Sequence, residues 1–268
     1  MTQPQFDARE TFQSIEMDKS TDFIIVEGNE VDVFDNALRG ILNKKGEETD
    51  WVVVSGSDKK TILDFFRNSK ADNAFAILDK DFTGEKDFHK KVNYLSRYSV
   101  ENFLLDEAVV RQTNARFYRK TADKINLDIG VLVNHYRESL LLLLNVLKKY
   151  QVATCEHNIS WSENSILVKD CWKVNVGEVE RLIDLMGKDY PECREEECEI
   201  LGDVIKEFPA KLIVKGIYHF IKKIIVPPGF TKVFNNEKAF SHALFNNIEY
   251  SKDFMSCLGG AKDFLSRK

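Results

Sequence analysis

Four carboxylates in the first hundred or so residues stand where α/β proteins do chemistry. Glu27 follows the apolar run Asp22–Val26, Asp79 and Asp81 follow Ala74–Leu78, and Glu101 follows the shorter run Tyr98–Val100. In open parallel sheets ligands gather at the carboxyl ends of the strands, where loops and helix N-termini surround a shared crevice. On extended backbone, residues two apart face the same side, so Asp79 and Asp81 can present two carboxylates to one ion while Lys80 points away. Crowded carboxylates repel one another and bind protons more tightly unless a cation neutralises them. Mg²⁺ meets that need, with Mn²⁺ as its substitute and one or two ions in the site, because it prefers oxygen ligands and uses one or two carboxylates plus waters and a substrate phosphate. The chemistry implied is phosphodiester hydrolysis, in which metal activates water and stabilises charge on the phosphoryl oxygens. A single acid after a strand is most often a helix cap or a solvated loop residue. Acids at three strand ends of one layer favour a shared metal site instead.

The elements that must position these acids follow from the hydrophobic pattern. Short apolar runs alternate with amphipathic stretches over the first hundred residues, the signature of βα units around a mostly parallel sheet. Asp22–Val26 predicts a buried strand, followed by a helix carrying Val33, Phe34, Ala37, Leu38 and Ile41 on one side. Trp51–Val54 predicts a second strand, closed by Ser55-Gly56-Ser57-Asp58 and a helix through Ile62, Phe65 and Phe66. Ala74–Leu78 predicts a third, and Tyr98–Val100 a short fourth ending at Glu101. Gly56 is read as a turn residue, with an anion-binding nest as the alternative. Beyond about Leu105 the pattern becomes helical, with Leu140–Leu144 apolar around the whole circumference and a small β insertion between Val152 and Val176. The expected architecture is α/β: residues 1–105 form a Rossmannoid sheet of about four mostly parallel strands flanked by helices. Residues 106–268 form a mainly helical C-terminal region packing on it.

Three blocks carry a family resemblance: Val26-Glu27-Gly28-Asn29-Glu30, Ile77-Leu78-Asp79-Lys80-Asp81-Phe82, and Tyr98-Ser99-Val100-Glu101-Asn102-Phe103-Leu104. Together, over about residues 22–105, they resemble Toprim domains related to the overcoming-lysogenization-defect nucleases. That group includes the Toprim effector of the PARIS anti-phage system, which works with an ABC-type ATPase partner. The resemblance implies that Glu27 is a general acid/base or metal ligand, that Asp79 and Asp81 are the metal-binding Asp-x-Asp, and that Glu101 is a further catalytic acid. Relatives often carry an acid four residues after the glutamate, where this chain has Val31. Glu30 and Asp32 flank that position, and Glu30 is carried forward as a candidate metal ligand. The resemblance further implies an abortive-infection effector that cleaves tRNA after release from an AAA-like, ABC-type ATPase sensor, with a homodimer as one form of the active protein. The residues alone do not separate RNA from DNA. A DNA endonuclease of the same family and a non-catalytic Toprim-like regulator of the ATPase are the alternatives.

Composition narrows the remaining classes. A formal charge of −5 argues against broad nonspecific nucleic-acid binding, which leaves a basic footprint. Basic surface is nonetheless available locally. Between Pro209 and Val233 there are five lysines and no acid, and at about 100° per residue Lys211, Lys215 and Lys222 form one helical stripe. Lys211 and Lys215 are therefore the candidate substrate contacts, and Lys215-Gly216 also matches a lysine-glycine pair common late in the related proteins. Arg111, Arg116, Arg119 and Lys120 make a second basic segment. The five histidines are scattered without ligand spacing and are assigned no catalytic role. The five cysteines are odd in number and irregular in spacing, which predicts reduced thiols. No Gly-x-x-x-x-Gly-Lys-Ser/Thr is present, so nucleotide control must come from a partner. No stretch reaches the ~18 apolar residues of a membrane span, and the first residues do not read as a secretory signal, so a cytoplasmic location is expected.

Overall fold

Asp-Phe-Ile-Ile-Val and Ala-Phe-Ala-Ile-Leu place apolar side chains at consecutive positions, a pattern that suits strands covered on both faces. The computed structural model describes residues 8–44, 46–80, 89–117 and 235–267, with positions 167–168, 173–174, 177, 180–181, 184, 214 and 218. In it these runs are β1 (Asp22–Val26) and β3 (Ala74–Leu78), and all five residues of each are buried. β2 (Trp51–Ser55) lies at the sheet edge and alternates instead, with Trp51 and Val53 buried and Val52 exposed.

The sheet order is β2-β1-β3-β4 and every pairing is parallel. Val26 pairs with Ser55 on one side and Ile77 on the other, so the three carboxyl ends are level. The fourth strand corrects the sequence reading. β4 is Val92–Tyr94, not Tyr98–Val100. Its ladder is fixed by Ala76 N–H donating to Lys91 O (2.8 Å) and Leu95 N–H donating to Leu78 O (2.8 Å). Residues 98–100 cannot extend that ladder because their polar groups close locally. The Asn102 Oδ1 accepts both the Ser99 N–H (3.0 Å) and the Ser99 hydroxyl (3.0 Å), opening a 3₁₀ helix over Val100–Leu105.

By contact, the chain divides into two compact units: residues 1–80, 85–96 and 248–268 make the first, and 81–84 and 97–247 the second. In the first, one face of the sheet carries α1 (Ala8–Met17) and α3 (Lys59–Asn68). Phe23, Ile25, Ala74, Ala76 and Leu78 pack there with Ile15, Ile62, Phe65 and Phe66. The other face receives α2 (Val31–Ile41) and two helices from the end of the chain. Residues 248–268, placed in the C-terminal region by the sequence reading, thus belong to the sheet-bearing unit. Between α3 and the end of the chain, the second unit carries α4 (Glu107–Phe117), the antiparallel pair β5 (Leu167–Val168) and β6 (Lys173–Val174), and α5 (Glu237–Phe245). The last two are α6 (Lys252–Cys257) and α7 (Gly259–Leu265). Phe254 meets Phe34 of α2 at 5.6 Å between ring centroids, Phe264 meets Phe75 of β3 at 5.5 Å, and Asn93 of β4 donates to Cys257 O at 2.6 Å.

The second unit has its own polar anchors. Buried Arg97 donates to Asn102 O (2.9 Å) and Asp106 Oδ1 (2.6 Å). Asn247 bridges Thr113 Oγ1 of α4 (3.2 Å) and Ala243 O of α5 (2.9 Å). The β5–β6 pair falls inside the predicted β insertion. The predicted helix at Leu140–Leu144 lies outside the described residues. Among the described residues no helix is long and apolar enough to cross a membrane.

Candidate active site at the carboxyl ends of the strands

Strand order alone singles out one crevice. From β1 the chain moves to β2 on one side, then crosses back to β3 on the other, so the connections leaving β1 and β3 diverge between those two strands. Such a switch point is where open α/β sheets bind ligands. Glu27 and Asp79 are the residues that follow the two strands.

The backbone around Glu27 is held from both sides. Val26 O accepts the Gly56 N–H (3.0 Å), and the Gly28 N–H donates to Ser57 O (3.1 Å). These bonds tie the β1 and β2 turns together and leave the Glu27 side chain to reach toward β3, where Oε2 accepts the Asp79 N–H at 3.3 Å. Two turn residues make this possible. Gly28 has φ +78°, and a Cβ there would stand 2.7 Å from the Glu30 carboxylate. A Cβ on Gly56 would stand 2.5 Å from Ile62 Cγ1 and 2.6 Å from Ile25 Cγ2. Gly56 is thus a packing turn rather than an anion nest, its N–H being taken by Val26 O. Ser57 adopts φ 75°, a conformation uncommon for a side-chain-bearing residue, and so aims its carbonyl at Gly28.

Glu30, at the N-cap of α2, folds its carboxylate back over this turn, and Oε2 accepts the Asn29 N–H at 2.9 Å. Glu27, Glu30 and Asp79 are each half-buried. Glu101 is half-buried in the first turn of the 3₁₀ helix, while Val100 and the four residues from Asn102 to Leu105 are buried. It belongs to the second unit and follows no strand. Asp81, Lys211 and Lys215 lie outside the described residues, whereas Arg111 is exposed and pairs with Glu107 one turn earlier in α4.

One cation that sequence reading missed sits at this edge. Lys59, half-buried at the start of α3, donates from Nζ to Lys80 O (3.4 Å) and lies 5.6 Å from the centroid of the Tyr94 ring. Its helix is anchored by Asp58, whose carboxylate accepts the Thr61 N–H and hydroxyl, both at 2.9 Å. Burial pushes the Asp58 carboxyl up, but the Thr61 bonds outweigh it and hold the group below its ordinary range. His89 packs on Phe66, its Nδ1 accepts the Lys91 N–H (3.3 Å), and burial followed by Lys91 and Lys90 lowers its affinity for a proton.

Among the described residues no group of three or more His, Cys, Asp or Glu is arranged to hold a metal ion. The switch point brings the Glu27 carboxylate to the backbone N–H of Asp79, the residue after β3. Two hard carboxylates from adjacent strand ends are the donor set that Mg²⁺ uses beside water and phosphate, so these residues fit the ion. The class defined by fold and site is a parallel α/β sheet with an acidic switch point. No protein-family model matches the chain, and no curated protein does.

Proposed function

We propose that the chain is a Mg²⁺-dependent Toprim-type endonuclease, the effector of an anti-phage defence system, which cleaves tRNA after release from an ABC-type ATPase partner. The observation that carries the nuclease reading is the meeting of Glu27 with the end of β3 at the topological switch point. Substrate, partner and biological setting rest on the resemblance of the three sequence blocks.

Glu27 and Asp79 are the residues that would hold the ion, with Asp81 supplying the second aspartate of the Asp-x-Asp. When bound, the ion supplies charge neutralisation at the phosphate and activation of water. Glu27 has the pinned backbone that a proton-transfer group needs: it orients the attacking water and takes its proton as the water oxygen bonds to phosphorus and the ester oxygen departs, protonated by solvent, as a hydroxyl. Glu30 adds negative charge beside Gly28 and strengthens the preference of this edge for a dication. Glu101 is proposed as a further acid acting on the substrate.

The test is incubation of the purified chain with total cellular RNA and with DNA, in Mg²⁺ and in EDTA, with and without its genomic neighbour. RNA cleavage that needs Mg²⁺, is suppressed by the ATPase and is lost in Glu27→Ala is expected. Cleavage by Glu27→Ala at the parent rate would sink the assignment. Binding without cleavage under every condition would favour a regulatory module.

A further inference from the structure

Lys59 stands out by where its side chain goes. α3 opens on Lys59 and Lys60, with the N-cap carboxylate of Asp58 supplying the acid that a helix N-terminus favours. Lys60 is exposed, but Lys59 is half-buried and leans over the strand ends. Its ammonium donates to the carbonyl of Lys80, the residue after Asp79, and lies beside the Tyr94 ring at the end of β4. Because Asp79 N and Lys80 O belong to consecutive residues, Lys59 Nζ and Glu27 Oε2 stand within about 15 Å of each other, a few nucleotides along one strand.

We infer that Lys59 contacts substrate: its ammonium, steadied by the Lys80 carbonyl and the Tyr94 ring over the end of β3, binds a backbone phosphate of the nucleic acid engaged by Glu27 and Asp79. The inference rests on the nuclease reading. It deepens that reading by giving an acidic edge the cation a polyanionic substrate requires. A lysine ammonium binds phosphate as a point charge and carries no base specificity. Lys59 therefore contributes affinity and register, not sequence preference.

The test is equilibrium binding of a fluorescein-labelled tRNA transcript and a labelled duplex DNA to the full chain, in Ca²⁺ to prevent cleavage, across a salt series. Loss of one phosphate contact flattens the plot of log K against log salt by about 0.7 for a single strand and 0.9 for a duplex. Lys59→Gln is expected to weaken binding of the preferred probe about five- to tenfold at low salt and to flatten the slope by about one, with Lys59→Arg restoring both. Lys70→Gln removes an exposed lysine near the opposite edge of the sheet and is expected to keep the parent slope. In cleavage assays Lys59→Gln should raise KM and leave kcat in place. Parent affinity and slope in Lys59→Gln would overturn the inference even if the chain cleaves RNA. Flattening by Lys59→Gln in a chain that never cleaves would uphold the contact and overturn the nuclease reading. A parent chain that binds neither probe overturns both.

Discussion

The two ends of the one sheet treat their polar groups in opposite ways. At the amino end, polar side chains tie the structure together. The Asn73 amide donates to the carbonyls of Ile15 (3.2 Å), Asp18 (2.5 Å) and Thr21 (3.0 Å), stapling the exit of α1 to the start of β3. Arg267, just beyond α7, donates to Asp22 Oδ1 (3.1 Å) and Asp72 O (2.8 Å), and Lys91 joins Ala71 O and Asp72 at 2.7 Å each. At the carboxyl end, backbone bonds hold the turns, and half-buried acids are gathered at the switch point instead of being spread apart. Asp22 and the N–H groups of the Asn73 side chain are buried and bound, which stabilises; Glu27 Oε2 instead meets a backbone N–H, that of Asp79. The same strands carry stabilising polar contacts at one end and the proposed site at the other.

Substitutions at the two ends should therefore separate activity from stability. The largest effect belongs to Asp79→Asn. The bond to Glu27 comes from the backbone N–H of residue 79 and survives the change, so the fold is kept. Cleavage should fall at least about 100-fold, while the metal-free Tm is unchanged. Comparable cleavage by parent and variant would erase the contrast between the two edges.

Asn73→Ala should do the reverse. Removing a buried amide whose two N–H groups serve three carbonyls lowers stability by about 2–4 kcal/mol, seen in urea unfolding, while specific activity of the folded protein stays at the parent level. Arg267→Gln should cost less, about 1–2 kcal/mol. Asp22 is buried, but Arg267 is 39% exposed and solvent already screens much of the pair.

The smallest effect is a pH dependence. The Ser20 hydroxyl, then Thr21 and the Ser20 backbone, hold the Asp18 carboxyl well below its ordinary range. Asp58 is displaced the same way, as is Asp72 beside Lys91. A lowered folded-state value contributes stability that is complete above the ordinary value of 3.8 and is lost as pH falls through the folded-state value. Asp18→Asn should make the acid-side decline of Tm shallower below about pH 5. An unchanged acid limb would show that this turn carries no titrating stabilisation.

How much was legible in sequence follows the same physics. The predicted strands Asp22–Val26 and Ala74–Leu78 match the structure residue for residue, and Trp51–Val54 falls one residue short, because strands buried in a parallel layer are short unbroken apolar runs. β4 was misplaced because Val92-Asn93-Tyr94 is three residues long and half-buried throughout, leaving little hydrophobic contrast. The Ser99/Asn102 pair was a readable local signal that residues 98–100 open a helical turn instead. At the proposed site, the positions of Glu27 and Asp79 at strand ends were legible because each directly follows such a run. Lys59 was not, because what distinguishes it is where α3 starts relative to β3, a tertiary fact. The return of residues 248–268 to the sheet was equally hidden, since amphipathic periodicity shows that a helix has a partner face without saying which.

Glu27 and Asp79 are proposed to form one cation site. Titration of the full chain with Mn²⁺, followed by electron paramagnetic resonance, tests it directly. Saturable binding by the parent, competed by Mg²⁺ and weakened at least about tenfold in both Glu27→Gln and Asp79→Asn at unchanged Tm, is the predicted result. Binding of equal affinity in the parent and the two variants would contradict the account.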